Sequence, residues 1–138
     1  MTARAIRETA NQSILPVLLG NTRKAHRLSA RLFRRFGVIS VIGGQPRLWD
    51  IADFTSVTFR MPKTDCERLT VEALIGFAEE YREPLLLLVP CSETTAGTVA
   101  RHAKALERYF VLSDTEAILA SSPLTAFEAY DRAHANGK

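Results

Sequence analysis

Ile14-Leu-Pro-Val-Leu-Leu-Gly20-Asn-Thr22, the amphipathic stretch that runs on to Phe36, and then Gly37-Val38-Ile-Ser-Val-Ile-Gly43-Gly44 decide the fold. Ile14–Leu19 and Val38–Ile42 are short apolar runs bounded by glycine, the signature of buried strands. Between them Ala25, Leu28, Ser29, Leu32, Phe33 and Phe36 recur at helical spacing and form one stripe. Asn21 or Thr22 can cap the helix, and Gly37 supplies a left-handed residue at its end. Pro16 is awkward inside a strand, so the pairing is expected to start effectively at Val17. The whole is a strand–helix–strand unit. Its strands are expected to be parallel, with the loops leaving their carboxyl ends as the place for a ligand.

The rest of the chain repeats this alternation. Gly43-Gly44-Gln45-Pro46 reads as a loop, Arg47–Ala52 as a short helical turn, and Ser56–Phe59 as an edge strand ahead of Pro62. Thr64-x-x-Glu67 is a capping box opening a helix over Asp65–Tyr81, with Leu69, Ala73, Leu74, Phe77, Ala78 and Tyr81 inward. Pro84–Val89 is the most apolar strand and is expected to be central. Ser92–Arg108 reads as a helix with Val99, Ala103, Leu106 and Phe110 on one side, followed by a short strand over Tyr109–Leu112. A second capping box, Ser113-x-x-Glu116, starts a helix through Leu119, and Pro123 opens a last one with Phe127 and Tyr130 inward. The expected fold is α/β: a Rossmann-like, doubly wound, mostly parallel sheet of about five strands with helices on both faces. Residues 1–13 read as a polar leader, 14–135 as one domain and 136–138 as a tail.

Composition narrows the function classes. At 138 residues the chain can bury a core without disulfides or metals. Its two cysteines, Cys66 and Cys91, form no C-x-x-C and have no histidine at ligand spacing, so no metal site is expected. Met1–Gln12 has no apolar signal region, and Leu85–Pro90 is too short to span a membrane. The expected compartment is the cytoplasm, with no membrane partner.

Arg23, Lys24, Arg27, Arg31, Arg34 and Arg35 crowd one helix without an acid. Outside these six, 12 basic residues face 15 acidic ones, so the remainder is net negative. The ordinary reading of such a helix is a solvated outer face. An anion, subunit or nucleic-acid surface is the alternative, and nucleic acid is disfavoured because no aromatic residues interleave the basic ones.

Known chemistry motifs are missing. The turn after the first strand reads Gly20-Asn-Thr-Arg-Lys-Ala25, which lacks the later glycines of a dinucleotide fingerprint. No phosphate-binding loop of the G-x-x-x-x-G-K-[ST] type occurs, and no acid pair follows the first strand as a phospho-receiver would need. Cys91 follows an apolar strand, but His102 lies about three turns into the next helix, so no nucleophile–base pair is expected. Cys66 sits near a helix start, where a thiol can be acidified, yet reads best as an ordinary turn residue. Glu93 either complements its helix dipole or contacts substrate.

Pro16-Val-Leu-Leu-Gly20-Asn, Phe36-Gly-Val-Ile-Ser-Val-Ile-Gly43 and the strand ending near Arg60-Met-Pro62 resemble the N-terminal (pre-ATP-grasp) domain of ATP-grasp ligases. Ala73–Tyr81 followed by Leu85-Leu-Leu-Leu-Val-Pro90-Cys91-Ser-Glu93, and then Leu106–Leu112, resemble the carboxylate–amine ligase branch. The resemblance covers about Ile14 to Ala133. It implies an ATP-dependent C–N ligase in which this domain forms one wall of the substrate cleft and has no catalytic residue of its own. ATP and Mg2+ are then expected in the complete ligase, held by an ATP-grasp catalytic domain or subunit, with no cofactor in this chain. The substrate is a small carboxylate or amine, and a homodimer is compatible, since several such ligases are dimers.

The chain stops about where the catalytic domain of that family starts. Ser121-Ser-Pro-Leu124 stands where the family tends to carry an Asp-Lys pair, which departs from nucleotide binding and fits either a piece cut at the domain edge or a stand-alone relic. The expected substrate-binding residues are Gly20, Asn21 and Thr22, Gly43 and Gly44, and Cys91, Ser92 and Glu93. Asn21→Ala and Glu93→Ala are expected to weaken substrate use and leave folding intact. The alternative is a stand-alone, non-catalytic module binding a small anionic ligand or a protein partner. A domain that packs on a neighbour is expected to expose an apolar patch, with Leu48, Trp49, Phe127 and Tyr130 as its candidates.

Overall fold

The computed structural model describes residues 3–48, 50, 53–61 and 66–113. The elements are α1 (Ala3–Thr9), β1 (Ile14–Leu19), α2 (Arg23–Phe36), β2 (Ser40–Gly44), β3 (Ser56–Arg60), α3 (Glu67–Glu80), β4 (Leu85–Pro90), α4 (Glu93–Arg101), α5 (Ala103–Leu106) and β5 (Val111–Leu112). The five strands form one all-parallel sheet in the order β3-β2-β1-β4-β5. This is a Rossmann-like α/β fold. β1 is the middle strand, and β4, the most apolar in sequence, lies between β1 and β5. Pro16 is accommodated: β1 pairs with β4 along its whole length, Ile14 to Leu85 through Leu19 to Pro90.

Chain direction sets the layers. β1 to β2 steps one way along the sheet and β3 to β4 steps the other, so right-handed crossovers put α2 and α3 on opposite faces. Leu18, Ile42, Leu87 and Val89 point to the face covered by Ala25, Leu28 and Leu32 of α2. Leu15, Val17, Val41, Val57 and Leu88 point to the other, under Val71, Leu74 and Phe77 of α3 and Val99 of α4. Strand alternation thus divides the apolar residues between two cores.

α2 forms as its sequence dictates. Thr22 caps it, its Oγ1 accepting from the N–H of Ala25 at 3.2 Å, and Gly37 closes it at φ 70°. Phe33 is exposed rather than part of the inward stripe, while Phe36 packs against the core edge.

Several details differ from the sequence reading. β2 spans Ser40–Gly44 and not Val38–Ile42, because Gly43 and Gly44, read as loop, continue the pairing with Phe59 and Arg60 of β3. The N-terminal segment read as a polar leader contains α1, whose Ile6 joins the core beside α3. α3 starts at Glu67 with Cys66 as its N-cap and no side-chain cap, and Leu69 is exposed while Thr70 and Val71 turn inward. Glu67, the first residue of α3, pairs with Arg101 and His102 at the end of α4, and the Thr64 half of the expected capping box lies outside the described residues. The helix after β4 is interrupted at His102 (φ −115°, ψ 22°), although the bonds from His102 N–H to Thr98 and from Leu106 N–H to His102 carry the ladder through. Trp49, Thr64 and the helices expected after Ser113 lie outside the described residues.

Candidate functional site

The three expected loops meet at the carboxyl edge of the sheet. Gly20 has φ +103°, a conformation glycine adopts without strain, and it turns the chain from β1 towards α2. A Cβ at Gly20 would lie 3.5 Å from Thr95 Cγ2 and 3.7 Å from Ser92 Oγ, so the β1 and β4 loops abut. Thr22 Oγ1 donates to the Cys91 carbonyl at 3.4 Å. On the other side, a Cβ at Gly44 would lie 2.8 Å from the backbone N of Asn21, and one at Gly43 2.6 Å from Met61 Sδ. The β1–β4 boundary, where the strand order reverses, is the crevice in which open parallel sheets place ligands.

Not all eight residues offer a side chain there. Cys91 is only 2% exposed, because alternation along β4 carries residues 87, 89 and 91 to the α2 face. Burial pushes its thiol up to about 12 against a small opposing pull from Lys24. A substrate contact through this side chain is therefore corrected to a core position. Gly43 and Gly44 are buried, and their missing side chains make room for Met61 and Asn21. Ser92 caps α4 in a reciprocal box with Thr95. Among the eight, Thr22 and Ser92 are partly exposed, and the Glu93 carboxylate is exposed at the first position of α4.

Asn21 has a second role that sequence reasoning missed. It is 8% exposed, and its Nδ2 donates to the Gln45 carbonyl at 2.8 Å and to the Asp50 carboxylate at 2.9 Å. Its Oδ1 lies 2.7 Å from His26 Nε2. The same His26 nitrogen lies 3.0 Å from Asp50 Oδ1, and His26 Nδ1 lies 2.5 Å from Asp53 Oδ2. Both ring nitrogens thus face acceptor oxygens, so the doubly protonated ring satisfies both contacts and a neutral tautomer satisfies one.

Asp53 also accepts from the Thr55 N–H and hydroxyl and from the Ser56 hydroxyl. Burial works against its charge, but the hydrogen bonds from Thr55, Ser56 and His26 outweigh this and hold its carboxyl below the usual aspartate value. The expected effect of Asn21→Ala is revised accordingly, because it removes the bonds that tie the β2–β3 loop to the β1 loop. The sequence signals available were the single histidine one turn into α2 and the Asp50–Asp53 pair in the short connection between the second and third strands.

Beside this cluster a groove of about 850 Å3 is lined by edge strand β3, the β2–β3 loop, Ile6 of α1 and the end of α3. Ile6, Phe54, Phe59 and Tyr81 provide its apolar lining, with Arg47, Arg60 and Glu80 at its charged parts. Burial, with Glu80 nearby, raises the Tyr81 phenol. Phe54 and Leu48 are each 89% exposed. Among the described residues no set of three or more His, Cys, Asp or Glu is placed to hold a metal ion, and no helix is long and apolar enough to cross a membrane. No known protein family, curated protein or solved structure matches the chain.

Proposed function

We propose that this chain is the substrate-side N-terminal domain of an ATP-grasp carboxylate–amine ligase and does not catalyse alone. The observation that carries the reading is the convergence of the β1, β2 and β4 loops at the switch point of an all-parallel sheet. Two capped helices, α2 and α4, begin there, and their amino-terminal dipole ends suit a carboxylate. Glu93, exposed at the start of α4, suits the amine. Leu48 and Phe54 offer exposed apolar surface where a neighbouring domain can pack. The Cys91 thiol is buried and held protonated, so in this reading it shapes the wall of the cleft and is not an attacking group.

In this reading ATP and Mg2+ act in the ATP-grasp part, and this domain orients a small carboxylate or amine. The test is made in the assembled ligase with ATP and Mg2+. Glu93→Ala is expected to raise KM for the amine by about tenfold, the scale of one charged hydrogen bond, with little loss of stability. Unchanged kinetics overturn the assignment of Glu93.

A further inference from the structure

The outer face of α2 is built in an unusual way. Arg23, Lys24, Arg27, Arg31, Arg34 and Arg35 are all exposed, and the helix holds no acidic residue. At about 100° per residue these six fall within an arc of about 120°. That arc lies opposite the buried Ala25, Leu28, Ser29 and Leu32. Along the helix the stripe runs about 20 Å. Among the described residues, no side-chain hydrogen bond or ion pair engages Lys24, Arg27, Arg31 or Arg34.

Arg34 and Arg35 in the last turn suit the helix dipole, but the other placements work against the helix. Arg23 and Lys24 occupy the first turn, where the helix dipole favours acids. The pairs Arg23–Arg27, Arg27–Arg31 and Arg31–Arg35 place like charges at i,i+4, where they repel. A merely solvated face has no need of this arrangement, whereas a face that meets negative charge does.

The remainder of the chain is net negative, so a long polyanion running beyond α2 meets repulsion, while an acidic patch of the helix's own size does not. No aromatic side chain lies within the stripe to stack on bases. Five of the six cations are arginines, whose planar forks pair bidentately with carboxylates. We propose that the outer face of α2 docks an acidic protein surface, a carboxylate-rich helix face or segment of matching length. This inference does not depend on the ligase reading.

The test uses the full chain with two labelled probes, poly-L-glutamate of about 20 residues and duplex DNA of about 20 base pairs, followed by fluorescence anisotropy. The expected result is that poly-L-glutamate binds more tightly than the duplex, and at least about tenfold more weakly at ~200 mM than at ~50 mM salt. Lys24→Glu combined with Arg31→Glu is expected to weaken that binding by at least about tenfold while the melting temperature stays level or rises, because both changes relieve repulsion within α2. Failure of poly-L-glutamate to bind at low salt, tighter binding of the duplex, or undiminished affinity in the double variant overturns the proposal.

Discussion

His26 Nδ1 lies 2.5 Å from Asp53 Oδ2, and this contact pins the loop between β2 and β3 to α2. The two parallel strands are adjacent, and the described residues of the connection between them reach α2 through polar side chains. Polar bonds hold it there: Asp53 and Asp50 to His26, Asn21 to Gln45, and the Ser29 hydroxyl to the Thr55 carbonyl at 2.9 Å.

Asp53→Asn is therefore expected to destabilise the fold by about 1.5–3 kcal/mol, the range for hydrogen bonds to a charged group. Denaturant unfolding of both proteins at neutral pH checks this.

The pH dependence of that difference has a definite sign. The folded carboxyl of Asp53 is held below its unfolded value, so its contribution is present above the unfolded value and lost as pH falls through the folded one. The gap between wild type and Asp53→Asn is expected to shrink below about pH 4 as the Asp53 carboxyl takes up a proton. A gap that widens on acidification contradicts the role given to the charge.

The two glycines ending β2 are expected to differ. At Gly44 an added Cβ meets backbone of Asn21, which cannot give way, so Gly44→Ala is expected to cost about 1–3 kcal/mol. At Gly43 it meets the flexible thioether of Met61, which can turn aside. Gly43→Ala should accordingly melt at the higher temperature of the two variants.

Much of the fold was legible because its signals are local and periodic. The Ala25–Leu32 stripe, the Thr22 cap, the Gly37 stop and the short apolar runs each specify their element from neighbouring residues. α1 was missed because about two turns with Ile6 as the inward anchor show no repeat. The site was half legible. Topology places the three loops at one edge whatever their sequence, but which side chains reach solvent depends on packing. Cys91 follows the strand's alternation into the core, and Asn21 turns to partners 24 and 29 residues away, Gln45 and Asp50. Long-range polar pairing of this kind leaves no periodic trace.

The cysteines should separate cleanly. Cys66 is exposed, and Cys91 is buried with a thiol pushed up to about 12. A thiol reagent near neutral pH is expected to label Cys66 in the native protein and to reach Cys91 only in denaturant. Rapid native labelling of Cys91 contradicts its placement in the α2 core.

The measurement that tests the central claim most directly is the mass of the protein as it exists in its native source, with whatever travels with it. The account predicts a larger polypeptide, or a tightly bound second chain of ATP-grasp size, that consumes ATP with Mg2+ when given a carboxylate and an amine. A lone 15.3 kDa species without partner or ATP turnover contradicts it.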